Sequence, residues 1–390
     1  MVNPAYRMAD SAKTLIRREG SYGRTLLQDK IGGQRRNQQE SELPYLLPTI
    51  ESWSDWSATF NDVDLWRPVI DAICDSEGIR YRSIQIPRSN TNAVFILDSQ
   101  LVVKIYSPFW SEFDMEATLI EVLGANRTVS VPEIVAAGRY HDRVSWNYLI
   151  MEYLDGLTLD AVRPDIARRD LLCIATEVGR MTRSLHETPI NPLGGVDTGE
   201  SWDDMVDRRR RETLPELAGS GIITPQVSDA LNVILEEVVA NSNRSPRVVV
   251  HGDLESDHIL LGRKDREWKI TSVIDFGDAK IGVRDYEWMP LWLGLFDRDI
   301  EAMRVFLEAY DRSLLTDEEL PRRVMAWTLL HDFGSDAITE LIEKTNTPTP
   351  VVTLGELRQI LWPGLEELFD VCGEARFYLR SDLLPRDLPE

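Results

Sequence analysis

Apolar and polar positions alternate in two rhythms along this chain. Over residues 49–80 the apolar positions Trp53, Trp56, Phe60, Leu65, Ile70 and Ile73 recur at helical spacing. Asp62 or Asp64 would cap the second part of that stretch and Gly78 would end it. Short apolar runs bounded by turns then predict strands over 81–86, 93–97 and 101–106, the last two joined by the turn Asp98-Ser99-Gln100. A helix is expected over 110–124, with Phe113, Ala117, Ile120 and Leu123 on one face and Gly124 as its stop. Strand pieces follow at 131–134, 137–140 and 146–151. From residue 165 the rhythm turns helical, with helices expected over 165–187, 202–217 and 225–240 and a mainly helical chain from Trp288 to about Cys372. No internal repeat interrupts this order.

One stretch, residues 248–278, breaks the helical part with strand character: VVVHGDLESDHILLGRKDREWKITSVIDFGD. It reads as a buried strand, a loop carrying Asp253, and a hairpin that returns the chain to Asp275. The return brings both carboxylates to one cleft. Two converging acids suit phosphoryl transfer, one accepting the proton of an attacking hydroxyl and the other holding Mg²⁺ against nucleotide phosphates. A second chemical signal is Lys104, a lone cation in Val102-Val103-Lys104-Ile105. Strand alternation buries it, and a buried ammonium needs a partner.

Composition narrows the partners. The 390 residues carry a formal net charge of −22, with a pI near 4.7. Such an acidic chain is a poor binder of nucleic acid or anionic membrane and a good attractor of a cationic small molecule. The three cysteines, Cys74, Cys173 and Cys372, form no Cys-x-x-Cys pair and fit a reducing, cytoplasmic setting. No apolar run approaches the roughly 18 residues of a membrane span, and the N-terminus lacks a signal-like apolar centre. Up to Glu40 the chain holds eight basic and four acidic residues, so residues 1–48 read as a basic extension or linker, with a short helix over 12–18 and a Gly- and Gln-rich joint over 32–39.

The ordered pair His251-Gly252-Asp253 with His258, followed by Ile274-Asp275-Phe276-Gly277-Asp278, resembles the aminoglycoside phosphotransferase family, whose fold is similar to that of protein kinases. The likeness covers roughly residues 84–292. It implies an α+β, two-lobed, protein-kinase-like fold: a nucleotide-binding lobe over 49–155, its sheet mostly antiparallel, and a larger, mainly helical catalytic and acceptor-binding lobe over 156–390. It implies transfer of the γ-phosphoryl group of ATP or GTP, with Mg²⁺ or Mn²⁺, to a hydroxyl of a small molecule. An aminoglycoside-type antibiotic is the first choice. A sugar, choline, homoserine or macrolide is the alternative, as is a nucleotide-binding pseudokinase.

The resemblance also implies roles. Asp253 is the catalytic residue that positions and deprotonates the acceptor hydroxyl, and Lys104 holds the nucleotide phosphates. Glu116 is its pairing glutamate, with Glu112 and Glu121 as competing choices. Ser89 and Asn90, in Ser89-Asn90-Thr91-Asn92, stand where the phosphate-covering loop belongs, although no glycine is present there. The backbone of Glu152 and Tyr153 forms the hinge that reads the purine. Asp275 holds the metal. At position 258 the family usually has asparagine. A histidine there implies a nitrogen ligand or water-mediated contact, a relative preference for Mn²⁺, and loss of activity below about pH 6.5 if the imidazole is unperturbed. Glu287, in the pattern Gly282-x-x-x-Tyr286-Glu287, braces the catalytic loop, and His186 packs beneath it. Arg208 to Arg211 reads as a solvated helix face, as do Asp332, Asp336 and Glu340, with contact to substrate ammonium groups as the alternative for these three acids.

Overall fold

The structure, a computed structural model, describes residues 45–87, 91–126, 129–265 and 267–368. The expectations for the basic N-terminal segment, for Ser89 and Asn90, and for Cys372 lie outside the described residues.

The first helical stretch is two helices, α1 (Trp53–Thr59) and α2 (Val63–Ser76). Asp62 divides them, because its carboxylate accepts the N–H groups of Asp64 and Leu65 at 3.1 Å and so starts a new helix. Trp56 and Trp66 pack on Trp146 of the neighbouring sheet, each with ring centroids 5.6 Å from it. The sheet has five strands, β1 (Ile84–Gln85), β2 (Ala93–Leu97), β3 (Leu101–Ile105), β4 (Ile134–His141) and β5 (Ser145–Glu152), all antiparallel in the order β1-β2-β3-β5-β4. The two strand pieces expected at 131–134 and 137–140 are one strand. It begins after Pro132, which has no N–H to give to a ladder. The helix expected from residue 110 starts later, as α3 (Phe113–Asn126).

The larger half holds α4 (Arg168–His186), α5 (Trp202–Gly219), α6 (Pro225–Ser242), α7 (Ile300–Asp311), α8 (Leu320–Leu330), α9 (Gly334–Thr345) and α10 (Leu354–Leu361). Helices α4 and α7 approach closely at Gly179, where a Cβ would lie 2.5 Å from the Phe306 carbonyl oxygen. Between the helices lie β6 (Leu157–Thr158), β7 (Val248–Val250), β8 (Ile259–Lys264), β9 (Glu267–Val273) and β10 (Lys280–Gly282). They form two small antiparallel sheets, β6-β8-β9 and β10-β7. Two hydrophobic clusters result. One lies under the five-stranded sheet. The other fills the helical half, with Trp288, Trp292, Phe306 and Trp327 at its centre, and takes in Met115, Leu119 and Leu123 of α3.

Two surface expectations are corrected here. Arg209 is buried, donating to the His331 carbonyl at 3.1 Å and the Ser335 hydroxyl at 2.9 Å, and Arg208 bridges Glu200 and Asp332. Asp332 therefore lies on no solvated helix face. It sits in the turn between α8 and α9, held by Arg208, by Lys280 at 3.2 Å and by the Tyr286 hydroxyl at 3.3 Å. Helical periodicity cannot show which arginine of a run meets a neighbouring element.

Candidate active site

The two acids of the 248–278 stretch meet because β10 returns beside β7, Lys280 opposite Val250, while β9 returns beside β8, Val273 opposite Ile259. The loops leaving these strands then pack backbone to backbone. Gly252 has φ +81°, and a Cβ there would lie 2.4 Å from the Asp278 carbonyl oxygen. His251 ties the loops together. Its Nε2 lies 3.2 Å from the Ile274 carbonyl oxygen as donor, and its Nδ1 accepts the Asp253 N–H at 3.3 Å. Burial lowers this imidazole to about 4, so it stays neutral and that tautomer holds. Below the loop, the Glu287 carboxylate accepts the N–H groups of His251 at 2.7 Å and Gly252 at 3.3 Å. The His186 ring lies 3.5 Å from Glu287. The expected brace is thus present as hydrogen bonds.

Asp275 follows in a left-handed conformation, φ 65°, unusual for a residue with a Cβ. One of its oxygens meets the Lys104 ammonium at 2.7 Å, and the same ammonium meets Glu116 at 2.6 Å. Lys104 is 4% exposed, on the central strand β3, so it does not face water from a sheet edge. The Tyr106 hydroxyl donates to the same Glu116 oxygen at 2.6 Å. Tyr106 follows Lys104 by two, the period that puts side chains on one face of an extended chain. Sequence reasoning passed over this legible signal.

The carboxylates differ in electrostatic state. Burial would raise Asp275, but Lys104 and His258 outweigh it and hold the carboxyl well below the usual range. Burial and Glu255 push Asp253 well above it, against the opposing pull of His258. Two acids in one cleft are thereby driven apart, one kept ionised and the other made a stronger base. Burial alone would lower His258, yet Asp257, Asp253 and Asp275 lift it to about 10. This overturns the expectation of an unperturbed imidazole titrating near pH 6.5. Its Nδ1 lies 2.6 Å from the Asp253 carbonyl oxygen, and its Nε2 stands 3.6 Å from Asp275.

The family model of the phosphotransferase enzyme family matches residues 82–327. The chain belongs to this family. It is similar to a probable ketoamine kinase, YniA, of Escherichia coli O157:H7, 27% identical over 163 residues, which are 38% of this chain and 52% of that protein. It is also 21% identical over 251 residues to a lysine-specific demethylase, JMJ21, of Arabidopsis thaliana, covering 53% of this chain and 26% of that protein. The chain thus spans between a quarter and about half the length of these curated relatives. Among solved structures, a GDP complex of a mutant aminoglycoside 2′-phosphotransferase-IIIa superposes with TM-score 0.55 at 19% identity, over 77% of this chain and 95% of that one. A GDP and kanamycin complex of an APH(2″) enzyme gives 0.52 at 18%, over 78% and 97%. At such identities the likeness establishes the fold: α+β and two-lobed, a small antiparallel lobe beside a larger helical one, as in the aminoglycoside kinases.

Within this phosphotransferase fold, the cleft brings together Lys104, Glu116, Asp275, His258 and Asp253. The hinge departs from expectation. The Tyr153 N–H donates to the Gln100 carbonyl at 2.8 Å and the Glu152 N–H to the Glu133 carbonyl at 2.9 Å, so neither offers a backbone donor to a purine. The turn after β2 folds back on the hinge, a tertiary contact that no local pattern reveals. Two acids near the cleft were assigned no place in it, and a third, Glu112, was only a competing choice for the Lys104 partner. Asp278 lies on the same turn as Asp275, and Glu255 follows Asp253 on its loop. Glu112 stands before α3, where burial and Asp278 push it up to about 8. Among the described residues no three His, Cys, Asp or Glu side chains converge to hold an ion by themselves. No helix among them is long and apolar enough to cross a membrane.

Proposed function

We propose that this protein transfers the γ-phosphoryl group of ATP or GTP to a hydroxyl of a small cationic molecule, with an aminoglycoside-type acceptor as first choice. The observation that carries the reading is the single buried ammonium of Lys104 held between Glu116 and Asp275, in the cleft that also contains Asp253. Residues 49–155 would take the nucleotide and residues 156–390 the acceptor. Lys104 holds the phosphates, and Glu116, bonded to Tyr106, fixes its position. The resemblance alone gives Ser89 and Asn90 the phosphate-covering role, while Glu152 and Tyr153 would border the base without donating their N–H groups to it. Asp253 orients the acceptor hydroxyl and takes its proton, a role its raised basicity favours.

The donor set fits a hard divalent cation. Asp275 is held ionised by Lys104 and His258, and the unpartnered buried Oδ1 of Asp253 is left for the acceptor hydroxyl. With so few converging side chains, phosphate oxygens and water would complete the shell, as Mg²⁺ prefers. When bound, the ion neutralises charge on the transferring group. Asp275 is its holder. His258 Nε2 could join only after losing the proton that three carboxylates hold, which favours Mn²⁺ over Mg²⁺ at higher pH.

A cationic acceptor is supported by charge. Besides the net −22, burial, Asp257 and Glu340 push Glu255, two residues from Asp253, up to about 7. Asp332 has no part in this, since Arg208 and Lys280 hold it. A ketoamine acceptor is the second reading, favoured by the probable ketoamine kinase relatives. A panel of aminoglycosides, ketoamines and neutral sugars, assayed for nucleoside diphosphate release and phosphorylated product, tests the proposal. Turnover of a polyamine-bearing acceptor supports the first choice. Turnover confined to neutral sugars would exclude both readings of the acceptor.

A further inference from the structure

Glu112 stands where three parts of the cleft meet. Its carboxylate accepts a hydrogen bond from the Asn92 carboxamide at 2.8 Å. Asn92 stands directly before β2. It is 2% exposed, and its other end accepts the Ser107 N–H at 3.0 Å. The Glu112 carbonyl accepts the Glu116 N–H at 3.0 Å, which places Glu112 at the start of the helix carrying the Lys104 partner. On its third side the carboxylate lies against Gly277. A Cβ there would stand 3.0 Å from Oε2, so glycine leaves the acid room beside the Asp275 turn.

We propose that Glu112 is a positioning residue for the nucleotide, a latch that joins Asn92, at the start of β2, to the Glu116 helix and the Asp275 turn. The inference rests on the kinase reading above. Asn92 offers two N–H donors and one carbonyl acceptor, and a buried carboxamide holds its direction only while its partners stay in place. Removing Glu112 unties Asn92 and the start of β2 from the Glu116 helix and the Asp275 turn. Holding these parts of the cleft in place then opposes nucleotide binding.

The sign of the effect separates this role from a purely electrostatic one. An acid beside the phosphate position repels phosphate whenever it is ionised, so its removal on electrostatic grounds alone would leave binding unchanged or tighter. Loss of the latch weakens it.

The test measures the Kd of Mg·ADP and Mg·GDP without acceptor, alongside thermal unfolding. Glu112→Ala is expected to raise Kd at least about fivefold, the scale of one hydrogen bond to a charged group. Glu112→Gln keeps an acceptor for Asn92 and is expected to bind as tightly as the unaltered chain or more tightly. Asn92→Ala should match Glu112→Ala, and the double variant should be no weaker than either. If Glu112→Ala does not fold, Glu112→Asp, which withdraws the carboxylate by one methylene, takes its place. Unchanged or tighter binding by the alanine variant, or a glutamine variant as weak as the alanine one, overturns the latch alone. Failure of the unaltered chain to bind either nucleotide overturns the kinase reading and the latch with it.

Discussion

At the scale of single residues, Lys104 shows how burial and charge assign a role. Its ammonium lies within 2.7 Å of two carboxylates from separate elements, in a place where an unpaired charge would be expensive to keep. The sequence announced it as a lone cation in an apolar strand. Glu116 was assigned by resemblance, and Tyr106 was available from the two-residue period. Glu112 and Asn92 were not legible as a pair, because twenty positions separate them and no periodicity links a loop to a helix start. Lys104→Ala is expected to weaken nucleotide binding by at least about tenfold, the scale of one charge-assisted contact. Isothermal titration with Mg·ADP and Mg·GDP checks this, and an unchanged Kd would remove Lys104 from the phosphate site.

At the scale of elements, apolar period and turn chemistry located the helices and most strands, while tertiary contacts decided their ends. Asp62, one of the two expected caps, starts the second helix, whereas Pro132 delayed a strand. The hairpin over 259–273 was legible, and with it the meeting of Asp253 and Asp275. The backbone approach of Gly252 to Asp278 was not, since it arises only once β7 and β10 pair. A similar close approach holds the helical half together. A Cβ at Gly179 would stand 2.5 Å from the Phe306 carbonyl oxygen and 2.9 Å from the Ala309 Cβ. Gly179→Ala gains helix propensity worth about 1 kcal/mol, yet the overpacking it forces between α4 and α7 costs about 1–3 kcal/mol. Gly179→Val adds more bulk without the full propensity gain. Urea unfolding should therefore find the valine variant less stable by at least about 1 kcal/mol and the alanine variant between it and the unaltered chain. A valine variant as stable as the original would mean the helix pair yields freely.

Across the whole molecule, buried histidines make stability depend on pH. His331 is fully buried, stacked on Tyr286 with ring centroids 4.1 Å apart, and burial lowers it to about 3. The unfolded chain binds a proton at this residue below about pH 6.5 and the folded chain does not. The stability it contributes is present above that pH and is lost progressively as pH falls toward 3. Between pH 7 and pH 5 the loss from this one group is about 2 kcal/mol. His331→Asn, which retains an acceptor for the Phe333 N–H, is expected to flatten the pH dependence by that amount in denaturant unfolding at the two pH values. Parallel pH dependence in the two proteins would mean His331 is protonated in the fold.

The proposed chemistry rests on a division of labour between the two acids, Asp253 for the acceptor hydroxyl and Asp275 for the metal. The most direct measurement pairs nucleotide binding with phosphoryl transfer in Asp253→Ala. With an acceptor turned over by the unaltered chain, ³¹P NMR should show γ-phosphate moving to the acceptor. The variant should lose this transfer by a factor of at least about 10³ while binding Mg·ADP within about twofold of normal. Transfer that persists in the variant, or nucleotide affinity that falls together with it, would contradict the assignment of Asp253 to the acceptor.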